Sequence, residues 1–225
     1  MKKVVLMVLF VISSVAFCAD GISGVSYLEY WNGDSNQISS VTGEPGMHGF
    51  YMTRAYFTYK TTISDKSSFK FQTDIQNKFN EGQAFYMYIK KAQFDLECGF
   101  GAKATLGIQG MNMFNVQEKT WGYRFISKSA MDDNGWSSSA DLGFSLSKSF
   151  GDISTSFLYT NGEGYKKVSA DNNMKTSIQV VYGEKRLDKN DGFNAGIVYS
   201  NNKPDNQIDF YRLEYNVTGI FGGWA

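Results

Sequence analysis

Cysteine is almost missing from this chain: Cys18 and Cys98 are the only two. Cys18 sits in what reads as a removable leader, which leaves Cys98 alone and excludes a disulfide-stapled secreted mini-domain. Histidine is scarcer still. His48 is the only one, in a Pro45-Gly46-Met47-His48-Gly49 setting with no nucleophile motif, so a Ser-His-Asp triad has almost nothing to draw on. One histidine and one remaining cysteine cannot build a zinc site, and no metal or cofactor is expected. Proline is down to 2 residues, while glycine reaches 23 and aromatics 16%. That balance fits many long paired strands joined by tight turns and excludes a disordered chain. Charge of one sign is also missing, with 22 basic and 22 acidic residues, so there is no basic stripe for nucleic acid.

The one long apolar run lies at the start. Met1-Lys2-Lys3 leads into Val4–Ile12 and then Ser13-Ser14-Val15-Ala16, the layout of a secretory signal peptide. It is too short for the roughly 20 residues of a spanning helix. Cleavage is expected after Cys18 or Ala19, giving a signal over 1–19 and one domain over 20–225. Lipidation at Cys18 is a weaker alternative, because Phe17 is large where a small residue is wanted.

Beyond the leader the dominant signal has period two. In Ser68–Phe79 the alternate residues Ser68, Lys70, Gln72, Asp74, Gln76 and Lys78 are all polar. Phe69, Phe71, Thr73, Ile75, Asn77 and Phe79 between them are mostly apolar. A strand sends such sets to opposite faces. In the preceding segment Tyr51, Thr53, Ala55, Phe57 and Tyr59 share one face and Met52, Arg54, Tyr56, Thr58 and Lys60 the other. The polar turn Ser64–Ser67 joins the two segments as a hairpin.

The same reading predicts ten strands, at 22–31, 50–62, 68–79, 84–97, 103–110, 137–149, 153–160, 174–185, 193–200 and 208–217. The closing Gly219–Ala225 reads as a turn or the start of another strand, and Gly99, Gly101, Gly222 and Gly223 as turn glycines. No helical period follows the leader. Short turns at 64–67, 98–102, 150–152 and 186–192 alternate with mostly longer connections at 32–49, 111–136, 161–173 and 201–207; 80–83 is a short loop on the long side. Strands past ten residues, short turns on one edge and long loops on the other fit an antiparallel transmembrane β-barrel better than a soluble sandwich. The long loops would face the cell exterior.

Several stretches carry a resemblance: Arg54–Lys60, Ile63-Ser64-Asp65, Phe71–Asp74, Leu106–Gly110, Trp121–Arg124, Ser139–Gly143 and Asn161–Tyr165. Over about residues 50–165 the chain resembles bacterial outer-membrane porins of the phosphate-selective (O/P-type) superfamily. The resemblance implies a passive water-filled pore in the outer membrane, usually a homotrimer, with a barrel of about 16 strands. The chain would then be the N-terminal part of a longer porin. Its partners would be outer-membrane lipid and small hydrophilic solutes or ions, with no nucleic acid and no enzymatic step. No arginine-rich ladder runs along the strands, so phosphate does not follow from the name.

Charged residues of the wet faces are the pore-lining candidates: Arg54, Lys60, Lys70, Asp74, Lys78, Asp95, Glu97, Arg212 and Glu214. The long connection 111–136 exceeds ordinary loop length. If it folds inward it would place Glu118, Arg124 and Lys128 in the path of solute, and if not it is an external lid. Tyr51, Tyr59, Tyr86, Tyr88, Tyr211 and Tyr215 suit interfacial girdles, while Tyr56 and Phe50 suit a sugar-stacking track. Asp132-Asp133 could serve an omptin-like protease or a weak calcium site, though a polar surface loop explains them as well. The alternatives to a porin are that small outer-membrane enzyme and a non-conducting structural or adhesive barrel.

Overall fold

The computed structural model describes residues 21–32, 48–77, 85–124, 127–167, 173–202 and 215–225. The chain forms ten antiparallel strands in one sheet whose spatial order follows the sequence. They are β1 (Ile22–Asn32), β2 (His48–Ser64), β3 (Ser67–Asn77), β4 (Phe85–Glu97), β5 (Ala102–Gly110), β6 (Ala140–Phe150), β7 (Ile153–Thr160), β8 (Lys175–Gly183), β9 (Phe193–Asn202) and β10 (Tyr215–Trp224). The order has two ends, β1 and β10, and no pairing among the described residues joins them. Between β5 and β6 lie three short helices, α1 (Asn112–Asn115), α2 (Gln117–Trp121) and α3 (Ala130–Asp133).

Nine strands fall close to the sequence-based expectation, and the tenth does not. β10 begins at Tyr215 and runs through Gly219, Gly222 and Gly223 to Trp224, in register with β9 from Tyr215↔Asn202 to Trp224↔Phe193. The closing residues are therefore strand, neither a turn nor the start of another strand. Glycine lacks a side chain but keeps its backbone donor and acceptor, so a regular partner such as β9 can hold a glycine-rich segment extended. The second correction concerns 111–136, which contains short helices that no 3.6-residue period announced. Helices this short show too few turns for a periodic stripe.

Two compact units divide the chain, 1–60 with 72–89 and 61–71 with 90–225. In the first, β1 pairs with β2 from Ile22↔Tyr59 to Asn32↔His48, with a register shift between Tyr27 and Leu28. Its buried side chains include Thr73 and Asp74 on β3, both polar. In the second unit β4 to β10 form a continuous ladder. One face of that ladder is covered by α1 and α2, which pack on β7, β8 and β10.

The two faces of the second unit invert the usual arrangement. On the covered side the buried residues are mainly polar: Thr105, Gln109, Asp141, Ser145, Thr160, Ser177, Gln179, Asn194 and Ser200. On the opposite side Leu106, Leu142, Phe144, Leu146, Phe157, Ile178, Val180 and Ile197 all stand exposed, Leu106 at 62%. Water as the outside solvent would penalise this face, because contiguous apolar patches of this kind mark contact with something apolar. Aromatics lie along the same outer face toward both edges. Phe150, Tyr182, Phe193 and Trp224 are exposed toward the short-turn edge, and Tyr159 and Tyr199 toward the other. Lys148 also lies on this side, and its Nζ reaches back over the Phe150 ring at 4.6 Å from the centroid. A lysine on an apolar face bends its head toward the nearest polar edge in this way.

Candidate functional site

The site is the covered polar face and the segment that folds onto it. The chain leaves β5 at Gly110, where a Cβ would come within 2.7 Å of Asn115 Oδ1, and turns directly into α1. α2 ends at Gly122, with φ of +71° and its N–H donating to Glu118 O at 3.0 Å. That left-handed residue closes the last turn and turns the chain away from the sheet.

α1 is anchored by an apolar island within the polar face. Met111, Met113 and Phe114 pack with Leu158 of β7 and Val198 of β9, flanked by Met131 and Val217. Around the island the contacts are polar. Asn112 donates to Ser156 Oγ at 3.3 Å and accepts from Ser177 Oγ. Gln179 Nε2 donates to Asn112 O and to Gln117 Oε1 at 3.2 Å. Farther along, Asn194 Nδ2 donates to Thr120 Oγ1 at 2.9 Å. The segment is thus latched by apolar contacts and by buried hydrogen bonds whose partners have no water to fall back on. The first half of 111–136 therefore lies against the polar side of β7, β8 and β10.

The charged residues sort into several groups. Arg54 Nε lies 3.1 Å from Asp74 Oδ1, whose side chain is fully buried. Arg54 also donates to Gln76 Oε1 at 3.4 Å, and Gln72 Nε2 to Thr58 Oγ1 at 2.7 Å. Alternate residues of β2 and β3 therefore do meet on one polar face, as their period implied. Asp95 accepts from Thr105 Oγ1 at 2.6 Å and from Gln93 Nε2 at 3.0 Å, with Lys103 Nζ 3.7 Å away. Lys60 and Glu97 are exposed near the short-turn ends of β2 and β4. Lys78, Arg212 and Glu214 lie outside the described residues, as do the leader 1–19 and the side chain of His48.

The three constriction candidates separate. Arg124 pairs with Glu118 at 3.7 Å and with Asp132 at 3.1 Å. Lys128 is exposed. Burial holds the Glu118 carboxyl above the usual carboxylate range despite the pull of Arg124 and Lys90. Burial likewise pushes the Lys119 ammonium down, aided by the nearby Arg186. Asp132 is occupied by Arg124, and the described residues contain no group of three or more acidic, histidine or cysteine side chains placed to hold a metal ion.

Sequence reasoning missed Lys90, Lys91 and Lys119. The exposed apolar residues of β4 are Phe85, Met87 and Ile89, then Phe94 and Leu96. Odd positions give way to even ones, so the strand slips one residue in phase around Lys90-Lys91. A strict period-two reading across the slip assigns these lysines to opposite faces. The charges acting on Lys91 are those of Lys70, Lys90, Lys119 and Glu118, so three other lysines lie within electrostatic reach of it. Lys90 Nζ also sits 5.6 Å from the centroid of the Tyr165 ring. The signal available was the unbroken pair Lys90-Lys91 inside a strand, a place where alternation should have forbidden two charges in a row.

The scan against protein-family models and the search of curated proteins find no match for this chain. The arrangement itself is a polar sheet face, partly roofed by a latched helical segment, with clustered cations and balanced acids. It presents hydrogen-bond donors, acceptors and charge along one face of the sheet.

Proposed function

We propose that the protein is an outer-membrane porin through which small hydrophilic solutes or ions diffuse passively. The inverted sheet carries this reading: exposed Leu, Ile, Val and Phe on one face, buried Ser, Thr, Gln, Asn and Asp on the other. A lipid-facing apolar band with aromatics near both edges, and a polar lumen, is the pattern of a transmembrane barrel. In lipid no strand edge is left unpaired, so β1 and β10 must each find a partner. An aqueous channel normally takes about 16 strands, and we place these ten within a barrel of about that size. The α1–α2 segment narrows its lumen, and the Lys70, Lys90, Lys91 and Lys119 group lines the passage beside it. The leader Met1–Ala19 directs export, and a trimer is the assembly that the resembled porins use.

Planar-bilayer recording of the purified full-length protein tests this. Stepwise, ohmic conductance that persists without a transmembrane gradient of any cofactor is expected. Folded, membrane-inserted protein that gives no conductance would replace the porin with a non-conducting structural barrel, and cleavage of peptides lost on mutating Asp132 and Asp133 would replace it with an enzyme.

A further inference from the structure

At the end of β8 nearest the long connections a cavity of about 390 Å³ opens between the 134–138 segment, the 162–163 turn, β8, β9 and β10. Its volume is that of a site for a small organic molecule. Lys175, the first residue of β8, lines it with a side chain that is only 4% exposed. The ammonium donates to Ser137 Oγ at 2.6 Å. No carboxylate among the described residues lies within ion-pair distance of it. The acid that acts on it most, Asp141, is committed elsewhere: its carboxylate accepts the backbone N–H groups of Leu142, Gly162 and Gly164. An ammonium has three protons to donate, and burying one with a single hydroxyl partner is costly.

Trp136 and Tyr215 also line this cavity, each about half exposed, at 51% and 50%. They offer flat apolar surface with a polar edge. Asn134 and Asn202 add amides, and Glu163 a carboxylate. A buried cation beside two aromatic residues is built for an anion with a flat body rather than for a bare inorganic ion.

We infer that this cavity is a binding subsite for a small carboxylate carrying a planar or apolar body, with Lys175 receiving the carboxylate and Trp136 and Tyr215 the body. The inference deepens the channel reading by giving its loop-edge mouth a solute class. Binding is measured without conductance, so the two readings fail separately.

Calorimetry on the full chain folded in detergent, with sodium benzoate as probe, tests it. Benzoate should bind at least about tenfold more tightly than benzamide, because the charge-assisted contact to Lys175 is lost in the neutral isostere. Acetate, with the charge and no flat body, should also bind more weakly than benzoate. Lys175→Met should cut benzoate affinity about tenfold or more and leave benzamide unchanged. Glu163→Gln should tighten benzoate by removing a like charge, and it decides the matter if Lys175→Met fails to fold. Equal binding of benzoate and benzamide, phosphate binding more tightly than benzoate, or a Glu163→Gln variant with unchanged or weaker benzoate affinity would each overturn the inference. Channels that conduct while benzoate does not bind would sink this subsite and leave the porin standing; benzoate binding without conductance would do the reverse.

Discussion

The two faces of the β5–β10 ladder are made by the same strands, yet they differ sharply in what is buried and what is exposed. On β6, Leu142, Phe144 and Leu146 point one way and are exposed, while Asp141 and Ser145 point the other and are buried. On β8, Ile178 and Val180 are exposed between buried Ser177, Gln179 and Val181. In a water-soluble sheet the burial would be reversed, since apolar area removed from water is what stabilises a fold. Here burial goes to side chains that can hydrogen-bond one another, and the apolar side stands exposed, as the proposed lipid contact would require. Period two tells a reader that two faces exist, and only the packing tells which one is inside.

The largest effect expected from this comparison comes from placing a charge on the outer face. Phe144 is mid-strand on β6 and exposed. Phe144→Lys should cost about 2–4 kcal/mol near the bilayer midplane and reduce the amount of protein assembled in vesicles, without changing the ion selectivity of what does insert. Folding yield by heat-modified gel mobility reads the first, and reversal potential the second. A soluble fold would instead gain or hold stability, because a surface phenylalanine would become a surface lysine. That outcome would exchange the roles of the two faces.

A smaller effect is expected on the covered side. Asn112 links Ser156, Ser177 and Gln179. Asn112→Ala removes the side-chain contacts to Ser156 and Ser177, at about 1 kcal/mol because Ser177 Oγ keeps its bond to Tyr199 O, and loosens α1 from the sheet without touching the outer band. Assembly should persist while single-channel conductance rises or becomes noisy. Unchanged conductance would mean that the latched segment does not narrow the passage.

The strands could be read because alternation survives in almost every one of them: Ser68 to Phe79 shows it without help from tertiary structure. What could not be read has specific causes. The glycines of Tyr215–Trp224 have no side chains to alternate, so the last strand is defined by its pairing with β9. The α1–α2 segment is held by contacts to Leu158, Ser177, Gln179, Val198 and Asn194, all at least one hairpin away in sequence. Its helices are too short to leave a period. Arg54, Asp74 and Asp95, singled out by the wet-face logic, each have polar partners. That logic failed at Lys90-Lys91, because a phase slip is a backbone event that residue types alone do not announce. Nor did spacing mark Lys175 as special, since its isolation depends on Asp141 being absorbed by the turn at Gly162 and Gly164.

The missed lysines sharpen the comparison further, through selectivity rather than stability. Lys91→Glu should shift the reversal potential in a salt gradient toward cations, because a charge lining a pore sets ion preference. The same change at Lys60, exposed near the short-turn end of β2, should shift it less. A larger shift from Lys60→Glu would move the narrow part of the passage away from α2.

The smallest effect follows from acidity at the same place. Burial raises the Glu118 carboxyl above the usual range, against the opposing pull of Arg124 and Lys90. A carboxyl whose pKa is raised in the folded protein gains its proton earlier as pH falls than an exposed glutamate does. Above that pKa Glu118 is negative and offsets part of the charge of Lys90, Lys91 and Arg124, and Asp132 adds a second negative charge nearby. Below it one negative charge is gone and the cations remain. Preference for anions over cations should therefore increase on mild acidification, by an amount smaller than Lys91→Glu produces in the other direction. Glu118→Gln should raise anion preference at neutral pH and shrink the pH step, because glutamine carries no titrating proton. Retention of the full step in Glu118→Gln would remove Glu118 from the passage.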